Sequence, residues 1–345
     1  MGKLVLIDGH SILNRAFYGV PELTNSEGLH TNAVYGFLNI MFKILEEEKP
    51  DHLAVAFDLK EPTFRHKMYA DYKGTRKPMP EELREQVPLM KEVLAAMGVP
   101  ILTMAGYEAD DILGTIAKRC QAEGEEVSVV SGDRDLLQLA DTHIKIRIPK
   151  TSRGTTEIHD YYPEDVKREY QVTPTEFIDV KALMGDTSDN IPGVPSIGEK
   201  TATNLIVAYG SIENAYAHLD EVKPPRAKKA LEEHYDLAVM SKELAEICIT
   251  CPIPFEYEEA KLENLYTPEA YQYMKRLEFK SILARFDKTA AQEAAAPDIK
   301  THFTLVKDIK TADKIFSRAA EAGLVGFQLI LGRDGALKET TEQLS

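Results

Sequence analysis

In Gly106-Tyr107-Glu108-Ala109-Asp110-Asp111-Ile112-Leu113, three carboxylates fall within four positions, directly after an apolar run of strand length. Crowded in this way they repel one another, and they stay ionised together only where water, hydrogen bonds or bound cations offset the repulsion. A helix beginning here supplies amides and a partial positive charge, and divalent metals supply more. Taken alone, the cluster reads more simply as the solvated cap of a helix.

Acids elsewhere take it out of isolation. Asp8 follows the apolar run Lys3 to Ile7, Asp58 follows Leu53 to Phe57, and Asp133 and Asp135 follow Glu126 to Val130, while Val99 to Met104 leads into the Glu108 group. These runs, with Ile144 to Ile148, predict strands, and Thr31 to Glu48, Glu81 to Met97 and Asp110 to Ala122 carry helical periodicity. Such alternation predicts an α/β fold, a mostly parallel sheet with helices on both faces, whose sites lie at the carboxyl ends of the strands. Capping or a solvated rim explains acids after one or two strands, and fits poorly a set after four. An all-oxygen donor set without matched His or Cys predicts a polynuclear site for Mg²⁺ or Mn²⁺ rather than zinc.

From about Pro163 to Phe286 the pattern turns helical. Asp186 and Asp189 add two carboxylates there, followed by a tight turn, Gly193-Val194-Pro195-Ser196-Ile197-Gly198, and a helix expected to start near Glu199. Glycines permit close backbone approach and helix amides hold phosphate; Lys200 adds a cation. Alone, such a turn is often only a connection between helices. Lys60 to Pro78 is basic with interleaved aromatics, suited to phosphates and unpaired bases, and Pro78 and Pro80 set it off as a loop or arch; an ordinary solvated loop is the alternative. The basic run Arg226 to Lys229 reads as exposed surface.

The formal net charge of −15 over 345 residues argues against a polyanionic partner only if the charges are evenly spread. A hydrophobic content of 43% suffices for a core. Cys120, Cys248 and Cys251 do not describe a disulfide framework, and Cys248-Ile249-Thr250-Cys251 is a lone pair without a second one, weak evidence for zinc or redox chemistry. No run approaches the length of a membrane span and no signal peptide is legible, so a cytoplasmic location and no membrane partner are expected. Thr289 to Pro297 reads as a linker. Beyond it, Phe303 to Val306, Ile309 to Ala322 and Leu324 to Leu331 open another α/β unit too short to bury a core, and a longer parent chain is expected.

The signatures Ile7-Asp8-Gly9, Ala56-Phe57-Asp58, Tyr72 to Pro80, Glu108-Ala109-Asp110-Asp111, Gly132-Asp133-Arg134-Asp135 and Met184 to Gly193 occur in one order over residues 1 to 286. Together they resemble the 5′ nuclease family, in the form that opens bacterial polymerases of the polymerase I type. The resemblance implies a PIN-like nuclease core over 1–180 with a helical arch at about 60–95, and a DNA-binding helical region over 181–287 containing a helix-three-turn-helix. A linker at 288–298 and the start of a 3′ to 5′ exonuclease-like domain at 299–345 complete the implied organisation. That domain looks vestigial, because Val325 to Ile330 lacks the acids of proofreading relatives.

Carried over by position, Asp58, Glu108, Asp110 and Asp111 resemble a first metal cluster and Asp133, Asp135, Asp186 and Asp189 a second, with Asp8 beside the first. Two or more Mg²⁺ are implied, with Mn²⁺ able to substitute, and K⁺ at the helix-three-turn-helix. Lys73 and Arg76 resemble the basic residues at the arch base that meet the scissile phosphate. Arg15, Arg65 and Tyr72 resemble DNA contacts near the site, as do Gly193, Val194, Ser196, Ile197, Gly198, Lys200 and Thr201 on the duplex; Ser196 stands where many relatives have Gly. The implied partners are branched DNA with 5′ flaps, nicked duplex and RNA-primed DNA, with a covalent polymerase domain. The implied work is two-metal phosphodiester hydrolysis in primer removal and repair. A PIN-like ribonuclease, a metal-dependent phosphatase and a noncatalytic nucleic-acid-binding module are the alternatives; the basic arch and turn count against a small substrate.

Overall fold

The computed structural model describes residues 2–152, 155–286, 306 and 308–321. Six strands, β1 (Lys3–Asp8), β2 (His52–Ala56), β3 (Ile101–Leu102), β4 (Glu126–Val130), β5 (Ile144–Ser152) and β6 (Thr155–Tyr161), form one sheet in the order β3-β2-β1-β4-β5-β6. All neighbours are parallel except β5 and β6. β1 lies in the middle because it is apolar on both sides: Leu4, Val5 and Leu6 have no exposure at all, the pattern of a strand covered on both faces.

The two-residue period sorts these side chains into two cores. Leu4, Leu6, Ala54, Val127 and Val129 face one way, against Ile112, Leu113 and Ile116 of α5 (Ala109–Ala122). Val5, Ile7, Leu53 and Val55 face the other, with Phe37 and Met41 of α2 (Asn32–Glu48) and Met90 and Val93 of α4 (Glu81–Ala96). Trimming one such leucine to alanine costs ~2–5 kcal/mol. Helix α1 (Gly9–Gly19), which the sequence reading left unassigned, starts directly at the end of β1. Gly9 permits this, since a Cβ there would lie 2.5 Å from the Phe57 ring.

Helix α3 (Phe64–Met68) and the turn after it, through residue 80, cover the start of the stretch expected as an arch. The expected arch extended to about 95, but α4 packs on the sheet because Leu83, Met90, Val93 and Leu94 make an apolar stripe. The strand expected over Val99 to Met104 pairs only through Ile101 and Leu102. β6 was missed; its alternation of Glu157, His159 and Tyr161 with Ile158 and Asp160 gives an edge strand little apolar signal.

The remaining helices are α6 (Pro163–Tyr170), α7 (Pro174–Met184), α8 (Glu199–Tyr209), α9 (Ile212–Ala217), α10 (Pro225–Glu233), α11 (Tyr235–Ala245), α12 (Pro268–Arg276) and α13 (Lys280–Leu283). Val180, Leu183, Leu205 and Leu231 join the same core as Leu4 and Leu6, and the boundary expected at 180 falls inside α7. The change from sheet to helices is therefore not a break in the core. Two compact units divide the chain, Met1–Ala295 and Ala296–Ser345. In the second, α14 (Ile309–Glu321) begins where Asp308 Oδ1 accepts from the Thr311 amide at 2.9 Å; the expected linker and the segment Leu324 to Leu331 lie outside the described residues.

Candidate metal centre

Parallel strands bring the carboxylates to one edge. Asp8 ends β1 and caps α1, its Oδ1 accepting from the Ser11 amide at 3.0 Å and its Oδ2 from the Ser131 hydroxyl at 2.8 Å. Asp58 lies just beyond β2 and accepts from the Ala109 amide at 2.8 Å, which ties it to the first residue of α5. Asp110 sits in the first turn of that helix. Asp133 caps the 3₁₀ turn Arg134–Leu139 after β4 and accepts from the Asp135 amide at 2.9 Å.

Their charges are felt mutually. Burial, then Asp58, pushes Asp8 up to about 6, and burial with Asp8, Asp133 and Asp58 pushes Asp110 well above the carboxylate range. Asp58 escapes: burial alone would raise it, but His10 and the Ala109 amide outweigh burial and hold it at about 2. His10 Nδ1 lies 3.1 Å from the Asp58 amide and 3.3 Å from Oδ2. It accepts from the amide when unprotonated, or donates to the carboxylate when protonated, not both.

Basic side chains reach the remaining acids. Lys181 of α7 contacts Asp135 Oδ1 at 2.8 Å and also Asp186. Burial and Asp133 still push Asp135 up to about 7, whereas Lys181, helped by the Ser188 and Asp189 amides, overcomes burial and lowers Asp186. Across the site, Lys73 Nζ is 2.8 Å from Glu108 Oε1 and 3.6 Å from Asp189 Oδ2, Arg76 pairs with Asp189, and the Tyr72 hydroxyl shares its one proton between Glu108 and Asp189, at 3.1 and 3.0 Å. Lys73 thus bridges Glu108 and Asp189, one acid from each expected cluster, while Lys181 bridges Asp135 and Asp186. Among the described residues, no three His, Cys, Asp or Glu side chains converge on one ion position.

Several expected roles are corrected. Asp111 is wholly buried, and its oxygens serve Arg65 twice and the amides of Glu108 and Cys248, so it has no lone pair facing the site. Arg65 is 3% exposed and spends its remaining donors on the Leu244 and Glu246 carbonyls at 2.9 and 2.7 Å, out of reach of DNA. Tyr72 is buried too, 3% exposed, and joins acids instead of stacking on a base. In the turn, Gly193, Val194 and Ile197 are buried and their amides donate to Ser241 Oγ, Leu183 O and Val194 O. Ser196, Gly198 and Lys200 are exposed there and Thr201 is half-buried. Ser196 takes the left-handed φ of 71° and accepts from Arg226 at 3.0 Å.

A cavity of about 720 Å³ adjoins the second acidic group, lined among others by Arg15, Tyr18, Asp133, Arg134, Lys181 and Asp186. Arg15 lines this cavity beside Asp133 and Asp186, and its Nε is buried without a partner. Lys181, His10 and Ser131 were missed; a lysine within the apolar stretch Phe177 to Met184, five residues before Asp186, was the available signal. No helix among the described residues is long and apolar enough to cross a membrane.

An open, mostly parallel sheet with acids at its carboxyl edge and a helical extension defines a class, and two family profiles name it. Residues 3–171 match the 5′-3′ exonuclease N-terminal resolvase-like domain and residues 172–267 the 5′-3′ exonuclease C-terminal SAM fold; the chain belongs to this 5′-3′ exonuclease family. DNA polymerase I of Bacillus caldotenax is 45% identical over 318 residues, which are 92% of this chain and 36% of that protein. DNA polymerase I of Bacillus subtilis (strain 168) is 42% identical over 339 residues, 95% of this chain and 38% of that one. The chain thus spans well under half the length of these relatives, and corresponds to their 5′-3′ exonuclease region. The bacteriophage T5 D15 protein co-crystallised with metal ions has the same fold, with a TM-score of 0.60 and 21% identity over 85% of this chain and 99% of that one. The D15 flap endonuclease in a pseudo-enzyme-product complex with DNA and metal ions gives 0.59 and 21%, over 85% and 100%.

Proposed function

We propose that this chain is a structure-selective 5′ nuclease that hydrolyses phosphodiester bonds at 5′ flaps, nicks and RNA-primed ends, as the nuclease part of a longer cytoplasmic DNA polymerase active in primer removal and repair. The observation that carries this is the delivery of carboxylates by β1, β2, β3 and β4 to one edge, faced by Lys73 and Arg76 from the arch.

The donor chemistry fits hard divalent cations. Its oxygens are carboxylates, and burial and crowding hold Asp8, Asp110 and Asp135 at raised pKa values, a cost that a divalent cation removes. Asp8, Asp58, Glu108 and Asp110 would hold one Mg²⁺ and Asp133, Asp135, Asp186 and Asp189 another, with Mn²⁺ able to replace them. Bound there, such ions activate water and offset charge on the leaving oxygen.

The protein's own groups do the rest. Lys73 and Arg76 exchange their acid partners for the scissile phosphate and neutralise its charge as it builds. Arg15, half-buried on the cavity wall beside Asp133 and Asp186, adds a guanidinium for the phosphate backbone. The exposed part of the turn, Ser196 and Gly198, with Lys200 and the opening amides of α8, holds the duplex by its backbone and without base readout; K⁺ at this turn belongs to the same proposal. Labelled flap DNA, hairpin RNA and a phosphomonoester, each with Mg²⁺ or EDTA, test it together. Mg²⁺-dependent release of the 5′ flap alone is expected. Turnover only of RNA or of the monoester, or of nothing, contradicts it.

A further inference from the structure

The loop between Met184 and Gly193 presents Asp186 and Asp189, and it is also closed on itself. The Asp186 amide donates to Ile191 O at 2.9 Å and the Ile191 amide returns to Asp186 O at 2.8 Å. Gly185 and Gly193 interlock behind this bridge, so that a Cβ on Gly193 would lie 2.4 Å from the Gly185 nitrogen. A loop braced in this way is a firm support.

Three successive residues at its tip grip the base of the arch. Ser188 O accepts from Arg76 Nε at 3.2 Å, Asp189 O accepts from the Lys73 amide at 2.8 Å, and Asn190 Nδ2 donates to Asp71 O at 2.7 Å. Lys73 holds a left-handed φ of 56°, as does Asn190. Asparagine visits this region readily and lysine does not, so the backbone at Lys73 keeps its shape only because its surroundings hold it.

We propose that Asn190 is a positioning residue for phosphodiester cleavage: its carboxamide clasps Asp71 O and so fixes the arch base with the Lys73 ammonium and the Arg76 guanidinium aimed at the acids. This rests on the nuclease function proposed above. Asn190 touches no reacting atom and acts through Lys73 and Arg76. Asparagine combines a left-handed backbone with a short donor. Asp at this place keeps the shape but sets an acceptor against a carbonyl, and Gly keeps the backbone and removes the clasp.

The test is single-turnover cleavage of a 5′-flap DNA with Mg²⁺ by the unaltered chain, Asn190→Gly, Asn190→Asp, Lys73→Ala and the double variant Asn190→Gly/Lys73→Ala. Both single Asn190 variants are expected to lose about tenfold or more in rate, with flap affinity in EDTA within about threefold. In the double variant Asn190→Gly costs little more than Lys73→Ala alone, because an ammonium that is gone needs no positioning. Losses that simply multiply, or an Asn190→Asp variant at full rate, overturn the assignment while leaving the nuclease function intact. No cleavage by the unaltered chain overturns the nuclease function and this assignment with it.

Discussion

Arg65 meets Asp111 end-on, Nη1 2.8 Å from Oδ2 and Nη2 2.9 Å from Oδ1, with Asp111 entirely out of water. The pair joins α3, the start of α5 and the segment after α11, three elements distant in sequence. Removing one partner strands the other charge in the interior, which costs about 3–5 kcal/mol. Asp111→Ala and Arg65→Ala are each expected to lose that much in urea unfolding, and the double variant less than the sum. Full stability in Asp111→Ala would return this acid to the metal site.

Lys181 sets the charge state of the second acidic group. Its ammonium lowers both Asp135 and Asp186 against the effect of burial. Lys181→Met removes that cation, so a higher pH is needed to ionise the two acids. The acid limb of the pH–rate profile is expected to move to higher pH by about one unit, and an unmoved limb would show that these acids do not limit the rate.

Asp8 at about 6 and Asp135 at about 7, against 3.8 unperturbed, keep protons that the unfolded chain has released. The folded state thus binds more protons between about pH 4 and 7, and stability falls as pH rises through that window. Asp58, at about 2, and Asp186, also lowered, lose their contribution only in more acid solution. In EDTA the melting temperature is expected to rise by about 2–4 °C from pH 8 to pH 5.5. Millimolar Mg²⁺ at pH 8 is expected to raise it as well, by mass action on the folded state. A melting temperature indifferent to both would contradict the crowding of these acids.

Much of the acidic edge was legible because parallel strands must be apolar and must end at one edge. Asp8, Asp58, Glu108 and Asp133 each mark such an end, and their positions follow from the period of the runs before them. What sequence could not show was direction and partner. Asp110 and Asp111 are adjacent, yet one faces the other acids and the other turns inward to Arg65, a difference of one helical step. Arg65 and Tyr72 lie in a basic, aromatic stretch, and only packing against Asp111, Glu108 and Asp189 reveals that they are interior groups. Gly193 and Ile197 fooled the reading for a related reason: their turn is exposed at Ser196 and Gly198 while its other amides are consumed by Ser241, Leu183 and Val194. Lys181 gave only a faint signal, a lysine in a largely apolar helix, whose meaning shows once Asp135 and Asp186 are brought to it.

The central claim, that the carboxylates at the sheet edge carry the chemistry, is tested most directly by single-turnover cleavage of a 5′-flap DNA by Asp110→Asn and Asp135→Asn beside the unaltered chain. Each substitution keeps shape and removes a charge. With saturating flap and millimolar Mg²⁺, each variant is expected to cleave at least about a hundredfold more slowly, on the scale of losing a group that stabilises the transition state, with flap binding in EDTA little changed. Cleavage at the rate of the unaltered chain by either variant would contradict it.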